Sequence, residues 1–196
     1  MPRTPEASAA VRDATRARIR RAAVLLMAEQ GYQATTLRQV AARAGVADGL
    51  PSRYFGSKSG LLLDVANSWR DRTRAALAAH RGGGPEVTLR LLVRSALLGL
   101  DTSPEEVDEG RAVAALLADP QAREVLRAAG ADIDSADLLQ SLDDALAQTG
   151  SPDPEGDRVL LMAGIRGGLV LAAEDPHFPL RRLEDALLDR ILRQGR

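Results

Sequence analysis

The chain has 196 residues, with 26 Lys plus Arg against 27 Asp plus Glu, 45% hydrophobic residues and no cysteine. That is enough apolar material for one domain or two modest ones, and without cysteine there is no disulfide framework, thiolate metal site or cysteine nucleophile. Only 3% of residues are aromatic and Ala, Leu and Arg dominate, so the expected fold is all-α.

The near-neutral total hides an asymmetry. Up to Lys58, ten basic residues face four acidic ones, a local charge of +6, and the remainder carries −7. A basic end on an acidic body suits contact with a polyanion. Arg94 and Arg166 interrupt the most apolar segments, and residues 1–10 lack the apolar run of a signal peptide. A cytoplasmic protein with no membrane partner is therefore expected.

The first helix is expected over residues 14–30, where Ile19, Ala22, Ala23, Leu26 and Met27 line one face and Gly31 supplies a left-handed C-cap. Thr36-Leu37-Arg38-Gln39 reads as a capping box opening a second, two-turn helix that ends at Ala44-Gly45. A third short helix is expected over residues 49–55, with Asp48 as its N-cap and Pro51 at its third position, where no intrahelical bond is lost. Ser57 caps a long fourth helix to about His80. The order long, short, tight glycine turn, short, long is a helix-turn-helix inside a three-helix head.

Arg81-Gly82-Gly83-Gly84-Pro85 breaks the chain. Helices are then expected over residues 86–100, 104–117, 120–129, 135–148, 155–174 and 180–193. The division expected is a head over residues 13–73, with its helix-turn-helix at about 36–55, and a body over residues 74–196. There is no glycine-rich phosphate loop, no nucleophile elbow and no metal pair in the sequence, so no catalytic residue, cofactor or metal is assigned, and an enzyme is not expected.

The stretch from Ile19 to Leu63 resembles the DNA-binding head of the tetracycline-repressor (TetR) family of bacterial transcriptional regulators. The resemblance is carried by Ile19, Ala22-Ala23, Gly31-Tyr32, Thr35-Thr36-Leu37-Arg38, Val40-Ala41, Ala44-Gly45-Val46, Arg53-Tyr54-Phe55-Gly56-Ser57-Lys58 and Leu61-Leu62. It implies that the third helix lies in the major groove. Thr36 then offers a hydroxyl at a helix N-terminus, and Arg38 reaches a phosphate or a guanine edge. Gly49 allows close approach and Leu50 meets a thymine methyl. Ser52, Arg53 and Tyr54 form the polar reach of the reading helix, and the resemblance makes Tyr54 and Lys58 phosphate clamps. The chain departs from the family pattern at Ala47, Asp48 and Pro51.

Residues 159–173 are apolar on almost every side of their helix, apart from Arg166, so that helix needs partners on two sides. Leu160, Gly164, Gly167 and Leu171, with Leu183, Leu187 and Ile191 on the last helix, are the expected homodimer interface. A dimer would match two heads to a palindromic operator about 34 Å in repeat. The family also implies a small-molecule effector pocket, for which Trp69, Arg94, Arg111 and Arg166 are the candidate residues. The expected function is a ligand-responsive, DNA-binding regulator, a repressor released by its effector. The competing reading is a helical ligand-binding or protein-interaction dimer with a degenerate head, supported by Asp48 and Pro51.

Overall fold

The computed structural model describes residues 5–100, 104–131, 135–175 and 177–193. Within them the chain forms α1 (Pro5–Gln30), α2 (Leu37–Ala44), α3 (Leu50–Phe55), α4 (Lys58–Ala79) and α5 (Gly84–Leu97). These are followed by α6 (Pro104–Ala118), α7 (Pro120–Ala128), α8 (Ala136–Gln148), α9 (Pro154–Glu174) and α10 (Leu180–Leu192). The all-α expectation holds, and among these residues no helix is long and apolar enough to cross a membrane.

Two boundaries differ from expectation for physical reasons. Helix α1 begins nine residues before position 14, because the Ala-rich stretch after Pro5 contains no breaker and Pro suits a first helical position. Its residues 10–14 all face solvent, so hydrophobic spacing could not mark this part of the helix. Helix α5 stops at Leu97, three residues early, where Gly99 adopts φ 78° and its backbone meets that of Gly110 on α6. A Cβ on Gly110 would lie 2.4 Å from the Leu98 carbonyl oxygen, so both positions need glycine for the helices to come this close.

Two apolar cores form. The first joins Ile19, Ala23 and Met27 of α1, Val40 of α2, and Leu61, Leu62 and Val65 of α4 to Val113, Leu116 and Leu126 of α6 and α7. The second packs Leu89, Val93 and Leu97 of α5 against Leu142 and Leu146 of α8, Leu161 and Leu169 of α9, and Leu187, Leu188 and Ile191 of α10. The boundary drawn at residue 73 thus falls inside α4, and the core of the head takes in α6 and α7.

Candidate nucleic-acid interface and apolar cavity

Local capping fixes the reading unit. Thr36 Oγ1 accepts from the Gln39 amide at 3.2 Å, and Gln39 Oε1 accepts from the Thr36 amide at 2.8 Å, completing the capping box. Gly45 closes α2 at φ 63°. Helix α3 starts differently from expectation: its N-cap is Gly49, Pro51 is the second helical residue rather than the third, and no side chain caps it. The turn's backbone takes that role, Leu50 N–H donating to Ala47 O at 2.9 Å and Arg53 N–H to Gly49 O at 3.1 Å. Asp48 is thereby released from capping, and its carboxylate lies 3.5 Å from the Arg38 guanidinium instead.

Around this unit Thr36, Arg38, Gly49, Ser52 and Arg53 are exposed. A Cβ on Gly49 would meet nothing within 4 Å, so open space lies before the α3 N-terminus. Leu50 and Tyr54 are half-buried against the head core, and Pro51 is buried. The Lys58 ammonium donates to Tyr32 O at 2.9 Å and Gln33 O at 3.1 Å and sits 4.4 Å from the Tyr32 ring centroid. It therefore pins the α1–α2 turn, which the sequence did not foretell.

Ion pairs consume part of the basic charge. Arg43 donates to Glu29 at 2.7 Å, joining α2 to α1. That hydrogen bond, opposed by burial and helped by the guanidinium charge, holds the Glu29 carboxyl below its ordinary value. Arg16 and Arg20 of α1 both bind Asp64 of α4, Arg20 Nε at 2.8 Å, and Arg20 also donates to Ser68 Oγ at 2.7 Å. Arg12 and Arg18 remain exposed on α1 and Arg53 on α3.

A cavity of about 130 Å³ lies between the two cores. Its walls are Trp69 and Thr73 of α4, Leu92 and Ala96 of α5, Ala114 and Leu117 of α6, Leu138, Leu139 and Leu142 of α8, and Met162, Ile165 and Leu169 of α9. The polar groups of α4 in this wall are satisfied internally: Trp69 Nε1 donates to Ser95 O at 3.1 Å, and the Thr73 and Ser95 hydroxyls share a 2.6 Å hydrogen bond. Of the four expected residues, Trp69 and Arg166 line the cavity. Arg94 instead lies 3.6 Å from Glu184 of α10, and Arg111 is half-buried on α6 away from the lining. Arg123 of α7, Thr73 and Ser135 line it and were missed. Nothing in the sequence singles out Arg123 from the other arginines, because the rotation of α7 against its neighbours decides which way it faces.

The expected interface residues divide into two sets. Leu183, Leu187 and Ile191 of α10 pack inside the chain, with Leu187 over Gly164 and Leu183 over Gly168. Outward on α9 stand Val159, Leu160, Gly167, Val170 and Leu171, a stripe whose four large side chains are 39–59% exposed. The outer face of α10 is polar, with Arg181, Arg182, Asp185, Asp189 and Arg190 exposed.

Comparison with known proteins adds three findings. Residues 19–65 match the family model for bacterial regulatory proteins of the tetR family. The HTH-type transcriptional regulator BetI of Paraburkholderia phymatum is 35% identical over 88 residues, covering 42% of this chain and 44% of that protein. The chain thus matches less than half the length of these curated relatives. Among solved structures, a TetR-family transcriptional regulator from Rhodococcus sp. superposes with TM-score 0.68 at 21% identity, over 93% of this chain and 99% of that one, a likeness of fold. A transcriptional regulator from Rhodococcus sp. Rha1 gives TM-score 0.62 at 27% identity, over 91% and 95%.

Proposed function

We propose that the chain, whose residues 19–65 match the model for bacterial regulatory proteins of the tetR family, is a cytoplasmic, ligand-responsive transcriptional repressor of that family. It binds a palindromic double-stranded DNA operator as a homodimer and leaves it when a small-molecule effector fills the cavity. It is a regulator, not an enzyme. The observation that carries this reading is the composition of α4. One continuous helix of 22 residues holds Lys58 on the turn before α2 and Trp69 and Thr73 in the cavity wall.

In this reading α3 enters the major groove from the open space before Gly49. Ser52, Arg53 and Arg38 then face base edges, while the N-terminus of α2 at Thr36 meets the backbone. Arg12 and Arg18 add phosphate contacts. The outward stripe of α9 meets its copy across a two-fold axis, which sets the separation of the heads. An effector acts by binding the DNA-free arrangement of the heads better than the DNA-bound one.

Fluorescence anisotropy with DNA from the promoter beside its own gene, against scrambled DNA at two salt concentrations, tests the reading. The expected result is a preference of about a thousandfold or more with a steep salt slope. No binding to either DNA at low salt would overturn it. Filling the cavity by Ala114→Leu should leave operator affinity intact while abolishing release by effector.

A further inference from the structure

Asp48 is an acidic residue in the part of the chain that meets DNA, and it does no capping. Its Oδ2 lies 3.5 Å from Arg38 Nε, with the two side chains 68% and 87% exposed. So exposed a pair adds little to stability, so the fold does not explain it. Position does. Arg38 sits in the first turn of α2 and Asp48 immediately before Gly49, the N-cap of α3. The pair therefore stands at the end of the reading helix that approaches base edges in a helix-turn-helix.

A carboxylate brought into the groove is repelled by phosphates unless a cation neutralises it or a base donates to it. The major-groove edge of cytosine supplies such a donor at N4, and guanine supplies the O6 and N7 acceptors that an arginine fork takes together. Asp48 meets Arg38 on Nε, which leaves the Nη1 and Nη2 groups to form that fork. Gly49 beside it carries no side chain to hold the turn away from the bases.

We propose that Arg38 and Asp48 together read one G·C base pair in each half-site. Arg38 takes guanine O6 and N7, while Asp48 steadies the guanidinium through Nε and accepts from cytosine N4. Asp48 is then a specificity residue, and its departure from the family pattern sets which base pair is chosen. The inference rests on the DNA-binding role proposed above.

The test is selection from a randomised double-stranded DNA library by the full-length chain and by Asp48→Ala, Asp48→Asn and Arg38→Lys. Anisotropy then follows on the selected duplex and its single-position variants, with circular dichroism to confirm unchanged helix content. The wild type should select a half-site containing a G·C pair whose replacement weakens binding roughly five- to 150-fold. Both Asp48 variants should lose most of that discrimination at this pair alone, and Arg38→Lys should lose the guanine preference while keeping its charge. If Asp48→Ala instead tightens binding to every duplex alike and selects the same sequence, Asp48 merely repels phosphate and the paired reader is wrong. A wild type that selects no sequence overturns the inference together with the DNA-binding reading, so the two failures are distinct.

Discussion

Replacing Leu171 tests the α9 stripe as the homodimer interface, because its contribution can be worked from exposure. Val159 is 59% exposed, Leu160 39%, Val170 54% and Leu171 47%. Full burial of a Val or Leu side chain contributes about 1.5–3 kcal/mol, so covering the exposed half of each contributes about 1 kcal/mol. Two-fold symmetry doubles the four to eight, or about 8 kcal/mol gross, against an association cost of about 4–15 kcal/mol. The interface is thus not overdetermined, and every substitution acts twice. Leu171→Ala should forfeit about 2 kcal/mol and weaken the dimer about thirtyfold. Leu171→Asp also buries two carboxylates at the same contact, each costing several kcal/mol, so the dimer should weaken by more than about a thousandfold. Sedimentation velocity across a concentration series reads both, with circular dichroism confirming the fold. A dimer of Leu171→Asp as tight as the wild type would refute the assignment of this face.

Three further outcomes follow from the geometry. Lys58→Met removes the ammonium from the Tyr32 and Gln33 carbonyls and should lower unfolding free energy by about 1 kcal/mol or more, measured by urea melts without DNA; an unchanged midpoint would mean the turn holds itself. Gly110→Ala puts a Cβ 2.4 Å from the Leu98 carbonyl oxygen and 2.9 Å from Gly99 Cα. Backbone yields less readily than a side-chain tip, so a loss of about 1–3 kcal/mol is expected, and a wild-type melt would show that α5 and α6 are not so close. Asp137 and Glu184 should titrate in opposite senses. Hydrogen bonds from Arg74 hold the Asp137 carboxyl well below the ordinary range, so its contribution is present above that range and lost only as pH falls through the depressed value. Burial pushes Glu184 above its ordinary 4.5, against the opposing charge of Arg94. Its contribution is therefore full below 4.5 and lost as pH rises through the raised value. Glu184→Gln should remove that decline, and midpoints running parallel to wild type from pH 4 to 7 would contradict the burial.

What the sequence revealed follows how local each cause is. The α2 capping box was legible because Thr36 and Gln39 are three residues apart and each satisfies the other's backbone. The end of α1 was legible from Gly31, but the stretch before residue 14 was not, because the exposed residues 10–14 carry no apolar period. The leucine stripe on α10 signalled a buried face but not its partner. Periodicity specifies an orientation toward some apolar surface, and α9 of the same chain supplies it. Asp48 was misread because a capping role is a local expectation, whereas its pairing with Arg38 depends on the angle between α2 and α3. The arginines show the same limit: Arg94 finds Glu184 on a helix 90 residues away, while Arg123 faces the cavity through the rotation of α7.

The placement of the cavity bears on how a bound effector would reach the DNA. Val113 and Leu116 of α6 belong to the core of the head, while Ala114 on the same helix belongs to the core of the body. Leu117 is in the head core and also lines the cavity. Helix α4, about 33 Å long at 1.5 Å per residue, is tied to α1 by Asp64 and to α8 by Arg74, whose Nε and Nη2 donate to the Asp137 carboxylate at 2.7 and 2.9 Å. A ligand that enlarges the cavity therefore pushes on walls owned by both cores. The head's internal contacts resist deformation: Thr36 with Gln39, Arg43 with Glu29, and Lys58 with the Tyr32 turn all lie away from the cavity. The softer response is movement of the head as a unit with α4, α6 and α7 against α8 and α9, strained first at the exposed Arg74–Asp137 pair. In the proposed regulator such a shift alters the distance between two heads without changing how either one reads its half-site. That makes operator release a matter of dimer geometry and leaves base recognition to residues the effector never touches.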